Sequence, residues 1–124
     1  FSGQIGAGKT TFIRAMLRAK GIMTAIKSPT FSLVESYDCQ TLQIHHFDLY
    51  RIQDETELEY IGFRDYFAGQ TVCCIEWPEQ APQSLSTVDL HFTITFHGRG
   101  RLLAINAMTA LGEKLLVCLA GLNE

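Results

Sequence analysis

Apolar positions recur along this chain with two periods. Phe12, Ile13, Met16 and Leu17 fall at helical spacing with Arg14 and Arg18 opposite them, which predicts an amphipathic helix over residues 9–20. Gly21 suits its C-terminal stop. Residues 32–37 and 43–48 are β-rich runs on either side of Asp38-Cys39-Gln40-Thr41, the pattern of a hairpin. Asp54-Glu55-Thr56-Glu57 resembles a capping box and predicts a short helix ending at Gly62. Residues 71–75 read as a continuous apolar run, hence a buried central strand that ends at Glu76. Residues 77–86 contain Pro78 and Pro82 and read as a loop. Residues 88–96 and 102–107 flank His97-Gly98-Arg99-Gly100-Arg101, a second hairpin, and residues 109–122 form a C-terminal helix. Phe1-Ser2 reads as the end of a strand, followed by a loop that holds Gly3, Gly6 and Gly8. Helices and strands interleave. The expected fold class is therefore α/β, a mixed β-sheet flanked by helices and carrying β-hairpins, not an all-parallel sheet.

Length and composition narrow the class. With 124 residues, 47% of them hydrophobic and 19% charged, the expectation is one globular domain over residues 1–124. The apolar stretches are too short to cross a bilayer and no signal peptide is visible, so no membrane partner is expected. The chain begins with Phe1 rather than Met, and an N-terminal segment ahead of the loop is expected to be missing. Net charge is −3, too small for a polyanion-binding protein. Its distribution is uneven. Residues 1–34 carry Lys9, Arg14, Arg18, Lys20 and Lys27 and no acid, whereas all 13 acids lie in the remainder. A basic first third suits a phosphate site, although most of those bases read as ordinary solvated charges. Cys39, Cys73, Cys74 and Cys118 show neither CxxC nor zinc spacing and read as free thiols in a reducing cytoplasm. Cys73 and Cys74 are expected on opposite faces of their strand.

The strongest chemical signal is Gly3-Gln4-Ile5-Gly6-Ala7-Gly8-Lys9-Thr10, which fits G-x-x-x-x-G-K-[ST] at every fixed position. Glycines let successive amides point inward and form an anion nest, and the following helix aims its positive end at the same place. The strand, loop and amphipathic helix around it are the context that this motif requires, and the fold expected is P-loop NTPase-like. Ile5, Gly6, Ala7, Gly8, Lys9, Thr10 and Thr11 are the candidate nucleotide-binding residues, with Lys9 reaching the β- and γ-phosphates and Thr10 ligating Mg²⁺. A dinucleotide loop is excluded, because the spacing is G-x-x-G-x-G and no acid stands about twenty positions on. No N/T-K-x-D sequence is present for guanine, which favours ATP.

Carboxylates are needed beside such a loop. Glu76, at the C-terminal end of its strand, is the candidate metal ligand, and Asp48, ending the strand before it, is placed to polarise water or share the metal. Strand-end acids also cap turns. Thr30, in Ser28-Pro29-Thr30-Phe31, is the candidate γ-phosphate sensor. Trp77 is a candidate to pack over the loop or nucleotide. His45 and His46 alternate along a strand, so one of them faces the site, and the default reading of that histidine is structural. Arg99 and Arg101, on a hairpin, have the character of arginine fingers but read by default as solvated.

These pieces together resemble the TsaE (YjeE) family. The resemblance rests on residues 3–12, on Ser28-Pro29-Thr30-Phe31, on His46-Phe47-Asp48-Leu49-Tyr50-Arg51, on Glu57-Leu58-Glu59 with Gly62, and on Ile75-Glu76-Trp77-Pro78-Glu79. It implies a Mg²⁺-dependent ATPase, slow alone, required for threonylcarbamoyladenosine modification of tRNA. The ATPase would act with a TsaB–TsaD complex, in which TsaD modifies the adenosine, so tRNA engagement would be indirect. Lys9 and Thr10 then serve phosphate and Mg²⁺, Glu76 serves Mg²⁺, and Asp48 and Thr30 lie near the γ-phosphate. Lys9, Asp48 and Glu76 make up the catalytic set, and Trp77 belongs to the same motif. The family loop usually reads Gly-Asp-Leu-Gly, whereas Gln4-Ile5 stands here, without the acid. Two other readings of the same residues stay open: a small-molecule kinase and a nucleotide-dependent switch with little turnover.

Overall fold

In the computed structural model the chain is described over residues 1–23 and 32–121. The elements are α1 (Lys9–Ala19), β1 (Val34–Cys39), β2 (Leu42–Asp48), α2 (Thr56–Tyr60), β3 (Thr71–Glu76), β4 (Leu90–His97), β5 (Gly100–Ala107) and α3 (Ala110–Gly121). Single 3-10 turns at Phe63–Phe67 and Pro78–Gln80 flank β3. Thr30 and its neighbours in the proline loop lie outside the described residues.

β1 and β2 form an antiparallel hairpin, and β2 runs parallel to β3. β4 and β5 form a second antiparallel pair. Two residues join these groups. The Phe1 nitrogen donates to Ile75 O at 2.7 Å, and Phe1 O accepts from Trp77 N at 3.3 Å. Ser2 then bonds to β4 in parallel fashion, its nitrogen to Phe92 O and its carbonyl from Ile94 N. Phe1-Ser2 therefore bridges β3 and β4 as a short extended segment, and the backbone ladder is mixed, as the interleaved pattern predicts. Gly3 follows at once, where a Cβ would stand 2.5 Å from Ile94 O. Only glycine lets the chain leave β4 that closely.

Two apolar cores lie on the two faces of the β2–β3 pair. Ile13 and Leu17 of α1 pack with Ile22, Ile44 and Cys74. Phe47, Leu49, Ile52, Leu58, Phe63, Ile75 and Ala81 form the other core beneath α2 and its 3-10 extension, with Cys73 packed against it. Cys73 and Cys74 thus face opposite sides, as strand alternation requires. Phe1, Phe12 and Phe92 close the junction between α1 and β4, the Phe1 and Phe92 rings stacked with centroids 4.6 Å apart.

Both hairpins are tighter than their sequence pattern suggests. Cys39 pairs with Leu42 and His97 with Gly100, so each turn has two central residues. Gln40 (φ 56°) and Gly98 (φ 58°) supply the positive φ that such turns demand. The short helix is capped one residue away from the expected box: Asp54 Oδ1 accepts from Thr56 N, and Glu57 Oε2 accepts from Gln53 N. Glu55 instead accepts from Gln83 N and Ser84 N, tying down the loop that follows β3.

Candidate functional site

The parallel register of β2 and β3 dictates what meets at their C-terminal ends. Asp48 lies opposite Glu76 and His46 opposite Cys74. With a period of two, His46, Asp48, Cys74 and Glu76 share the face that α1 covers. The glycine loop leads into the N-terminus of α1 above that same edge. A cleft of about 270 Å³ opens there, lined by Ile5, Gly6, Gly8, Lys9, Thr10, Thr11, Asp48, Tyr50, Glu76 and Trp77. Of the loop residues that the sequence nominates, Ala7 is buried and does not line the cleft.

Two glycines shape the loop. Gly6 (φ 81°) and Gly8 (φ 111°) take left-handed backbone, and a Cβ added at either would meet no atom within 4 Å. Open space therefore stands beside the loop backbone where α1 begins. No acid lies in the first turn of α1 to neutralise its positive end.

Lys9 is 5% exposed despite its charge. Its ammonium donates to the carbonyls of Gly3 and Gln4, the latter at 3.1 Å, and lies 4.0 Å from the centroid of the Trp77 ring. Burial lowers its pKa, against the opposing pull of Glu76, Glu79 and Asp48. Trp77 itself has φ 59°, costly for a bulky residue, and its ring lies 5.0 Å from that of Tyr50. That turn is what brings the indole over the lysine at the cleft wall.

Glu76 is 2% exposed and both of its oxygens are engaged. The Thr10 hydroxyl donates to Oε1 at 2.7 Å, and His46 Nε2 contacts Oε2 at 2.6 Å. Burial alone would raise its pKa. The hydrogen bonds from His46 and Thr10 and the charge of Lys9 outweigh burial and hold the carboxyl below its ordinary range. Asp48 goes the other way. Burial raises its pKa and the Glu76 charge adds to the rise, while the bond its Oδ1 accepts from Tyr50 N at 3.1 Å opposes both. Two carboxylates side by side thus have opposite tendencies, one kept ionised and one drawn toward the proton.

The donor set is all oxygen: a hydroxyl, an ionised carboxylate and a second carboxyl. That chemistry suits a hard cation such as Mg²⁺ and not a softer metal. Among the described residues no three His, Cys, Asp or Glu side chains gather to hold a metal by themselves. A divalent ion here would draw other ligands from phosphate and water, as Mg²⁺ does in phosphate sites.

One arginine differs from its sequence reading, and the structural reading of one histidine gains a partner. Arg101 is not merely solvated: its Nε donates to Ala7 O at 3.0 Å and its guanidinium lies 4.2 Å from the Phe96 ring centroid. His46, read by default as structural, holds Glu76. Strand alternation signalled only that one of the two adjacent histidines shares the face of Asp48; the pairing of β2 with β3 is what sets His46 beside Glu76. His45 points to the other face, bonded to Ser36 Oγ at 2.7 Å and edge-on to Tyr66. Nothing in the sequence signalled the Arg101 contact, which depends on how β5 meets the loop.

Comparison with known proteins bears on the family and the fold. The family model "Threonylcarbamoyl adenosine biosynthesis protein TsaE" matches residues 1–102. A Haemophilus influenzae protein, tRNA threonylcarbamoyladenosine biosynthesis protein TsaE, is 42% identical over 115 residues, which is 93% of this chain and 73% of that protein. The Bacillus subtilis protein of the same name is 42% identical over 85 residues, 65% of this chain and 52% of its own length. The crystal structure of Bacillus subtilis YdiB is similar with a TM-score of 0.73 at 30% identity, covering 99% of this chain and 76% of that one.

Proposed function

The chain belongs to the TsaE family, and from that premise we propose that it is a Mg²⁺-dependent ATPase serving threonylcarbamoyladenosine modification of tRNA. The observation that carries the ATPase reading is the Thr10–Glu76 contact of 2.7 Å beside the glycine loop. It unites the hydroxyl that follows the loop lysine with an ionised acid at the C-terminal end of a parallel strand, the edge where open α/β sheets bind ligands.

The division of labour follows from the site. Loop amides and the α1 N-terminus receive the triphosphate tail. Lys9, already desolvated, exchanges the carbonyls of Gly3 and Gln4 for phosphate oxygens. Thr10 and Glu76 would hold Mg²⁺, which would supply neutralisation of phosphate charge. Asp48, its carboxyl drawn toward the proton, orients the attacking water and accepts its proton. Trp77 and Tyr50 wall the cleft. Thr30 completes the proposal as γ-phosphate sensor.

Residues 1–124 act here as one P-loop ATPase domain, in the cytoplasm, with a TsaB–TsaD complex as partner and tRNA engaged indirectly. No helix among the described residues is long and apolar enough to cross a membrane. The kinase alternative is weakened by Arg101, whose side chain is tied to Ala7 O instead of standing free as a lid arginine. The test is phosphate release from ATP by the chain alone and with TsaB–TsaD. Slow Mg²⁺-dependent release that rises with the partner is expected. A phosphorylated small molecule in place of free phosphate would favour the kinase reading, and no release in either case would favour the switch.

A further inference from the structure

We infer that His46 is a positioning residue for the cation site: its Nε2–H fixes one oxygen of Glu76 so that the other stays on Thr10. This rests on the reading of the cleft as a Mg²⁺-nucleotide site. A carboxylate held at one oxygen can still turn about its last bond. Glu76 is held at both, by groups from two different elements, Thr10 on α1 at 2.7 Å and His46 on β2 at 2.6 Å. The plane of the carboxylate is thereby set before any ligand arrives.

The protonation pattern of the ring follows from its surroundings. An ionised carboxylate only accepts, so Nε2 carries the hydrogen. Nδ1 is buried with no hydrogen-bond partner among the described residues. His46 is 0% exposed on β2, on the same face as Ile44 and opposite Cys74 of β3. An apolar side chain would fill such a place without leaving a polar nitrogen unpaired. What the imidazole supplies, and an apolar group would not, is the donor on Glu76. Neighbours that orient metal-binding groups in this way change metal affinity by roughly 10- to 100-fold when removed.

The test compares wild type, His46→Leu and His46→Gln by mant-ADP fluorescence titration, in EDTA and across a Mg²⁺ series. Circular dichroism and thermal melting establish that each variant is folded. In EDTA the Leu variant is expected to bind mant-ADP within about twofold of wild type, since the loop is intact. Its Mg²⁺ midpoint is expected to rise about tenfold or more. Gln, whose terminal amide donates from near the Nε2 position, is expected to restore most of that loss. A Leu variant with the wild-type Mg²⁺ midpoint overturns the inference, and so does a Gln variant no better than Leu. Should Leu fail to fold, ¹⁵N-histidine NMR of the wild type decides: a hydrogen on Nε2 supports the assignment, and an Nε2 without one overturns it. A wild-type protein whose nucleotide binding ignores Mg²⁺ instead removes the cleft reading, and this inference with it, a pattern distinct from wild type and Leu responding alike.

Discussion

Arg101 on β5 reaches across to Ala7, its Nε 3.0 Å from the carbonyl oxygen of the buried loop residue. The hairpin edge and the phosphate loop are 94 residues apart in sequence, and this bond clamps one to the other. Arg101→Ala is expected to weaken nucleotide binding by roughly fivefold, from loss of about 1 kcal/mol at a partly exposed charged donor. Arg101→Lys does not restore it, because the bond comes from Nε and lysine has no donor at that point of its side chain. Mant-ADP titration checks both.

Gly3 is where the chain turns off β4. A methyl group there would meet Ile94 O at 2.5 Å, and the contact is backbone, which cannot rotate away. Gly3→Ala is expected to destabilise the fold by about 1–3 kcal/mol. Because the Gly3 carbonyl also receives Lys9, nucleotide affinity falls as well. Thermal melting and nucleotide titration separate the two effects.

Asp48 and Glu76 make opposite statements about pH. Glu76 is held below its ordinary pKa, so it contributes stability that is present above the ordinary carboxylate range and lost as pH falls through its lowered value. Asp48 is raised, so its ionised form penalises folding at pH above the raised value, and the penalty is gone below the ordinary one. Asp48→Asn is therefore expected to melt at the same temperature as wild type or higher at neutral pH, while turnover drops by about 100-fold or more. Glu76→Gln is expected to lose both stability and turnover. A melting temperature lowered in Asp48→Asn speaks against this division.

Trp77 is the sole tryptophan of the chain, and Lys9 sits 4.0 Å from its ring centroid. A phosphate ligand that draws the ammonium away alters the indole surroundings. Emission is expected to change on adding nucleotide, and in Lys9→Ala to change already without nucleotide. An emission spectrum unaffected by either would separate Trp77 from the lysine.

Much of this site was legible before any coordinates. The glycine spacing located the loop and Lys9, the amphipathic run located α1, and the ends of a β-rich run and an apolar run located Asp48 and Glu76. These signals are local, carried by a few residues in a row. What escaped was non-local. That His46 faces Glu76 depends on β2 and β3 being parallel neighbours in one register, which alternation within β2 does not reveal. That Arg101 ends on Ala7 depends on Phe1-Ser2 standing between two strand groups. Turn lengths escaped for a different reason: Gln40 adopts a positive φ that its side chain does not advertise.

The central claim is that the glycine loop and Lys9 form the phosphate site of an ATPase. Phosphate release from ATP, compared between wild type and Lys9→Ala in the presence of Mg²⁺ and the TsaB–TsaD partner, tests it most directly. A fall of about 100-fold or more in the variant, with folding intact, is the expected result. Undiminished release by folded Lys9→Ala would contradict it.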